Sequence, residues 1–260
     1  MALDHPMGAP CWFELATPDM AAAERFYAAL FGWSVGHHAM EDGSHVAVFQ
    51  LDGRDVAAAC PLDPAQAAAG VPPHWLVYFA VDTADAAAAR AEAAGGTVVL
   101  PPLDVADMVR VAACLDPEQA VFGVYERRTH GGVDAIRERH AICWVELATR
   151  DLARAEAFHH AVFGWQYAEH HASPPGGYRL IEAQGQMVGG LLRMTEEWGE
   201  MPSHWSIYVQ VDDVDATVAR AVALGGVLCF PAFDAPGVGR IARINDPTGG
   251  GFYVITFVGE

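Results

Sequence analysis

The chain of 260 residues contains no lysine: its 15 basic residues are all arginine, set against 33 acidic residues for a formal net charge of -18. Such an excess of negative charge repels phosphate backbones and anionic lipid head groups, so neither nucleic acid nor a membrane is an expected partner. Long apolar runs are also missing, because proline or glycine breaks every extended uncharged stretch, and Met1 to Pro10 has no basic segment followed by an apolar one. Neither a membrane span nor a secretory leader is predicted, and a cytoplasmic, soluble protein is expected. Cysteine is limited to Cys11, Cys60, Cys114, Cys143 and Cys229, an odd number with no Cys-x-x-Cys. That argues against a disulfide framework and for reduced residues inside apolar strands. The 52% hydrophobic content suffices for two buried cores at this length and excludes disorder as the main character. Abundant alanine and arginine without lysine is the composition of a GC-rich genome.

What is present is a duplication. Residues 11 to 33 read CWFELATPDMAAAERFYAALFGW and residues 143 to 165 read CWVELATRDLARAEAFHHAVFGW, with fifteen of twenty-three positions identical at one constant spacing. Further on, His74-Trp75-Leu76-Val77-Tyr78 returns as His204-Trp205-Ser206-Ile207-Tyr208, and Asp116-Pro117 returns as Asp246-Pro247. The chain is a tandem repeat of one module. We take residues 1–126 as the first module, 127–139 as a connector and 140–260 as the second module.

Each module divides again. Cys11 to Ala16 alternates as a strand, with Trp12 and Glu14 on one face and Phe13 and Leu15 on the other. Thr17 stands where a helix cap is expected, with Pro18 in the first turn, Asp19 at the positive end and an apolar stripe of Met20, Ala23, Phe26, Tyr27 and Leu30 before Gly32. Three strands follow around Ser34 to His38, His45 to Leu51 and Arg54 to Cys60, separated by the turn signals Asp42-Gly43 and Asp52-Gly53. After a loop from Pro61 to Pro73 the order restarts at His74, giving a second β-α-β-β-β unit, and the second module repeats both. Residues 127–139, with Gly131-Gly132 and no apolar period, read as a connector.

Four such units, each module opening with a strand, Thr-x-Asp and a helix that ends Phe-Gly-Trp, resemble the vicinal oxygen chelate superfamily. That superfamily includes glyoxalase I, extradiol dioxygenases and bleomycin-resistance proteins. Within it the chain is most similar to the two-module actinobacterial group labelled hydroxylase-like or glyoxalase-like. The resemblance implies an α+β fold of two cup-shaped, eight-stranded modules with helices outside, and a place in natural-product metabolism. It also implies metal-ligand positions on the cup face at Trp12, Leu76 and Gly123 in the first module and at Trp144, Ser206 and Tyr253 in the second. Indole offers only a donor, leucine and glycine offer nothing, and neutral serine and tyrosine are poor ligands. No metal and no cofactor is therefore expected. The paired histidines His37-His38, His159-His160 and His170-His171 do not restore a site on strands, where adjacent side chains face opposite ways.

Strand alternation lines the first cup with Trp12, Glu14, His74, Tyr78 and Tyr125. It lines the second with Trp144, Glu146, His204, Ser206, Tyr208, Gln210 and Tyr253. Aromatic faces with a few polar groups suit a flat, partly polar organic molecule. Three readings stay open: a metal-independent binder that encloses, sequesters or presents such a ligand; a cofactor-free isomerase, cyclase or lyase using Glu146 or Glu14 with a histidine or a tyrosine such as Tyr208 as acid and base; and a metal-dependent lyase or dioxygenase with unusual ligands. A small-molecule ligand is the expected partner, and the chain is expected to act as a monomer or homodimer.

Overall fold

The computed structural model describes residues 5–39, 45–169 and 177–258, so the expected turn at Asp42-Gly43 and the pair His170-His171 lie outside the described residues. The first quarter comprises β1 (Pro10–Thr17), α1 (Met20–Phe31), β2 (Ser34–Ala39), β3 (His45–Leu51) and β4 (Arg54–Pro61). A short helix, α2 (Pro64–Ala68), interrupts the stretch that reads as loop, capped by Asp63. The second quarter is β5 (His74–Val81), α3 (Ala84–Ala93), β6 (Thr97–Val105), β7 (Val109–Leu115) and β8 (Val121–Arg127). The third quarter is β9 (Ile142–Thr149), α4 (Leu152–Phe163), β10 (Gln166–Glu169), β11 (Tyr178–Ala183) and β12 (Gln186–Arg193). The fourth is β13 (His204–Gln210), α5 (Val214–Ala223), β14 (Val227–Leu228), β15 (Phe233–Ala235), β16 (Gly239–Asn245) and β17 (Gly251–Phe257).

These strands form two sheets, in the orders β2-β3-β4-β1-β5-β8-β7-β6 and β10-β11-β12-β9-β13-β17-β16-β14, with β15 added on β16. The orders correspond strand for strand, so the fourfold β-α-β-β-β architecture read from the repeats is the one found. No described helix is long and apolar enough to cross a membrane.

Local differences from the sequence reading have physical causes. Asp19, not Thr17, caps α1: its Oδ1 accepts the Ala22 N–H at 2.9 Å. Thr17 instead ends the strand, and its hydroxyl donates to Thr248 Oγ1 at 2.9 Å. Asp151 caps α4 in the same way through the Arg154 N–H. Met20 is only half-buried, and the apolar face of α1 takes in Phe31. Both helices stop at glycines with positive φ, 78° at Gly32 and 75° at Gly164, where a side chain would be strained. Cys229 departs from the expected buried, strand-borne cysteine: it lies between β14 and β15, exposed, with Sγ directed at Asn245 Oδ1.

Contacts divide the chain into two compact units that cut across the duplication. One consists of residues up to Trp12, 76–132 and 144–206; the other of 13–75, 133–143 and 207–260. Each unit therefore combines halves of both modules. In the second unit the end of the connector is packed: Val133 and Ala135 are buried, the Asp134 N–H donates to Asp55 O at 2.7 Å, and Arg54 pairs with Glu138.

Each unit is built around one residue of the duplicated helix. In the second unit it is Tyr27, stacked on Trp33 (5.7 Å, 16°), edge-on to Trp75 (5.5 Å, 83°) and tilted against Phe252 (5.5 Å, 57°). Its hydroxyl donates to Asp246 Oδ2 at 2.9 Å and accepts the Trp75 indole N–H at 3.3 Å. In the first unit the equivalent is His159, stacked on Trp165 (5.2 Å, 16°), edge-on to Trp205 (5.8 Å, 89°) and across from Phe122 (5.6 Å, 62°). The cage is the same, but imidazole ends short of where a phenol hydroxyl would sit. His159 Nδ1 donates to Ala155 O at 3.0 Å, while His159 Nε2, Trp205 Nε1 and Asp116 Oδ2 have no protein partner among the described residues. Burial pushes the Asp116 carboxyl up to about 6 and holds His159 down at about 4.

An unsatisfied buried polar group costs on the order of 1–3 kcal/mol. Tyr27→Phe, which strands Asp246 and Trp75, should lose about that much in denaturant unfolding. His159→Tyr restores the missing hydroxyl and should raise Tm by about 2–4 °C for each kcal/mol recovered. A lower Tm for a correctly folded His159→Tyr variant would contradict this account.

Candidate functional site

The residues read from sequence as lining the cups fall into three groups. The first, in the first unit, is Trp12, Tyr78 and Tyr125. Tyr125 lies 6.5 Å from Trp12 and 6.3 Å, edge-on, from Tyr78. The structure adds His130 from the connector, edge-on to Trp12 at 5.0 Å and with Nδ1 2.5 Å from Tyr125 Oη. The Gly132 N–H also points at that Nδ1 (3.3 Å), so Nδ1 is the acceptor and the phenol donates. Gly123 belongs to this group by necessity, since a Cβ there would stand 2.1 Å from the Tyr78 ring. Tyr78 is folded flat onto its own sheet.

The second group, also in the first unit, is Trp144 and Glu146, joined by Tyr178, which sequence reasoning did not single out. The Trp144 indole N–H donates to Tyr178 Oη at 3.0 Å. Burial, the nearby Glu146 charge and a hydrogen bond to Glu146 hold the Tyr178 phenol well above its usual pKa, so it stays protonated and donates to the carboxylate. Glu146, buried at 7% exposure, is thus an acceptor at the end of an indole–phenol–carboxylate chain. Gly190 lets Tyr178 cross its sheet, because a Cβ would meet the phenol oxygen at 2.0 Å.

The third group lies in the second unit. Tyr208 and Tyr253 face each other in register on parallel neighbours β13 and β17 and stack at 4.5 Å and 10°. Phe230 continues from Tyr253 at 6.4 Å and Phe233 from Phe230 at 5.9 Å. Exposure rises along the series, from 6% at Tyr208 and Tyr253 to 36% at Phe230 and 44% at Phe233, so a ladder of rings runs from interior to solvent. Arg243, opposite Tyr253 on β16, holds its guanidinium carbon 5.9 Å from that ring. Gln210 follows Tyr208 on the same face of β13.

Other predicted residues are held by simpler bonds. Glu14, in the second unit, accepts from Cys60 Sγ at 3.4 Å, and burial first and that carboxylate second raise the Cys60 thiol pKa far above its normal value. His74 and His204 stand at strand starts with Nδ1 donating to Pro72 O (2.9 Å) and Pro202 O (2.8 Å). Ser206 is buried on β13. A separate cleft of about 450 Å³ opens among Glu118, Arg150, Arg154 and residues 199–203. Its polar groups are used internally: Glu118 Oε2 accepts from Thr149 Oγ1 and the Arg150 N–H, and Arg150 donates to Gly199 O and Met201 O. It clasps the start of α4.

Sequence reasoning missed His130, Tyr178, Arg243, Phe230 and Phe233. For the last three a signal existed in the aligned repeats, where they replace Ala113, Leu100 and Leu103. His130 lies in a segment with no period, and nothing in the pattern points to it.

With this geometry in view, the comparisons are decisive for the family. Residues 3–124 match the family described as Glyoxalase/Bleomycin resistance protein/Dioxygenase superfamily, and residues 144–255 match the Glyoxalase-like domain. The chain belongs to this superfamily. It is 36% identical over 253 residues, 97% of this chain and 96% of the relative, to a Mycobacterium tuberculosis protein named "Putative glyoxylase CFP32". It is 35% identical over 262 residues, 95% of this chain and 93% of the relative, to the anthracycline biosynthesis protein DnrV of Streptomyces peucetius. Among solved structures, the Mn(II)-bound glyoxalase from Novosphingobium aromaticivorans matches with a TM-score of 0.66 at 17% identity, over 96% of this chain and 82% of that one. The 2,3-dioxygenase LapB from Pseudomonas sp. KL28 matches at 0.65 and 12%, over 98% and 93%. At such identities these two establish the fold alone.

A metal of the kind named for that glyoxalase does not fit the positions at which this superfamily would hold one here. The side chains are Trp12, Leu76 and Gly123, and Trp144, Ser206 and Tyr253, a donor set without carboxylate, imidazole or thiolate. Among the described residues no three His, Cys, Asp or Glu side chains converge into a metal-holding group.

The packing of Tyr78 on Gly123 can be tested directly. Gly123→Ala should displace the Tyr78 ring and cost about 1–3 kcal/mol by overpacking, measured as a lower urea midpoint. An unchanged midpoint would mean that the ring is not held there.

Proposed function

We propose that the second module binds a flat aromatic small molecule against the Tyr208–Tyr253–Phe230 wall, without a metal ion. The observation that carries this reading is the ring ladder with its exposed end: offset stacking on aromatic faces is favourable for any planar ring, and a rising exposure gives such a ring a way in. The first-module equivalents are Tyr78, Gly123 and Leu100, with Tyr78 lying on Gly123, so this module lacks the ladder. The names of the relatives DauV and DnrV, anthracycline biosynthesis proteins, support a role in natural-product metabolism. The protein would there enclose, present or convert an aromatic intermediate.

A second reading has its own observation. The chain Trp144–Tyr178–Glu146 pairs a protonated phenol with a buried carboxylate, the arrangement needed for cofactor-free proton transfer as in an isomerase, cyclase or lyase. Turnover of a bound ligand that is lost in Glu146→Gln with binding retained would favour it over simple binding.

The test of the primary reading is fluorescence titration with anthracene-9-methanol. Tyr253→Ala should weaken binding about tenfold or more, as expected for loss of a stacking face worth on the order of 1 kcal/mol together with its buried area, while Tyr78→Phe should change little. Equal losses from both variants would sink the assignment to the second module. Elemental analysis should find no stoichiometric transition metal, and a chelator should leave the titration unchanged. One tightly held metal per chain, with binding lost on its removal, would refute metal independence.

A further inference from the structure

Arg243 stands apart from the other guanidiniums. Arg110, Arg179 and Arg240 pair with carboxylates, and Arg90 and Arg150 donate to backbone carbonyls. Arg243 lies beside the Tyr253 ring, and its buried Nε has no hydrogen-bond partner among the described residues. A guanidinium carries five donors and no acceptor, and a buried donor left unused is costly. Its position is also prepared. Gly251, on the neighbouring strand, leaves the space in which Arg243 Nη2 lies, since a Cβ there would stand 3.0 Å from that nitrogen and 3.1 Å from Asn245 Oδ1.

The repeat supplies the control. In the first module the positions of Arg243, Gly251, Tyr253 and Phe230 hold Ala113, Val121, Gly123 and Leu100. On paired strands the arginine goes with the glycine and the alanine with the valine, so the second module holds a cation, the room for it and the rings beside it as one set. A cation beside an aromatic stacking wall matches a planar ring that carries an anionic oxygen. The wall takes the ring, and the planar fork of the guanidinium takes two oxygens side by side.

We propose that Arg243 receives a carboxylate carried by the aromatic ligand of the second module, which makes the ligand class an aromatic acid. This rests on the ring-stacking reading above and adds the charged group to it. Anthracene-9-carboxylate and anthracene-9-methanol have the same rings and differ in charge. Wild-type protein should bind the carboxylate about ten- to a hundredfold more tightly, the range expected for charge-assisted hydrogen bonds, and the preference should shrink with added salt. Arg243→Gln should bring the affinity ratio close to one, Arg243→Lys should leave part of it, and Tyr253→Ala should weaken both probes. A ratio near one in the wild type, or one unchanged by Arg243→Gln while Tyr253→Ala still weakens both, overturns the role of Arg243 and leaves the stacking wall standing. Binding of neither probe, or no effect of Tyr253→Ala, overturns the wall and this inference with it. Should Arg243→Gln fail to fold, the wild-type ratio and the lysine variant decide the question.

Discussion

The structure depends on a residue of the duplicated helix being clamped inside an aromatic cage. Tyr27 and His159 each sit against two tryptophans and a phenylalanine of their own unit, and the tryptophans and phenylalanine come from the helix end, from β5 or β13 and from β17 or β8. One ring therefore ties the helix to strands far away in sequence. Rings of this size each bury about 150–250 Å², and their stacked and edge-on geometries fix orientation as well as proximity. The hydroxyl of Tyr27 adds a polar lock through Asp246, whose other oxygen accepts from the Thr248 and Gly250 N–H groups. The helix and the turn before β17 are thus fixed by one carboxylate.

The repeat places the same cage twice, and only one copy carries the lock. Histidine keeps the stacking and loses the hydroxyl, so Asp116 holds its own turn through the Glu118 and Ala120 N–H groups without the link to the helix. Burial shifts these two groups in opposite senses. Asp116, with its pKa raised to about 6, makes the folded state lose stability as pH rises from the ordinary carboxylate range towards 6. His159, with its pKa lowered to about 4, makes it gain stability as pH rises from about 4 towards the ordinary imidazole value. Between those limits the two contributions oppose each other.

Much of this was legible in the sequence because the repeat doubles every signal. The strand of Trp12 and Glu14, the helix ending at Gly32 and the strand opening at His74 each occur twice, so their periods could be checked against a second copy. What was not legible depended on side-chain reach. Thr17 and Asp19 are both good caps, and the Thr17 hydroxyl is taken up by Thr248 and the Asp19 N–H while Asp19 caps the helix. Tyr178 reads as an ordinary strand residue until Gly190 allows it to cross the sheet to Glu146. His130 sits in a stretch without period, and its contact with Tyr125 follows from backbone bonds such as His130 N to Met108 O. Periodicity reports which face a residue occupies and says nothing about how far its side chain leans.

The differences between the two repeats are linked to one another by contact. Tyrosine at the position of Gly123 cannot coexist with the present Tyr78 rotamer, whose ring lies 2.1 Å from where a Cβ would be. Where tyrosine stands in place of that glycine, the Tyr208 ring lies beside Tyr253 in a parallel stack at 4.5 Å. Gly251 likewise gives Arg243 Nη2 room, since a Cβ there would stand 3.0 Å from that nitrogen, and the matching position beside Ala113 holds Val121. Such changes are coupled through contact and cannot be added independently. The differences on β13, β16 and β17 therefore form one packed set: a side chain at Gly123 requires Tyr78 to move, and a side chain at Gly251 requires Arg243 or Asn245 to shift.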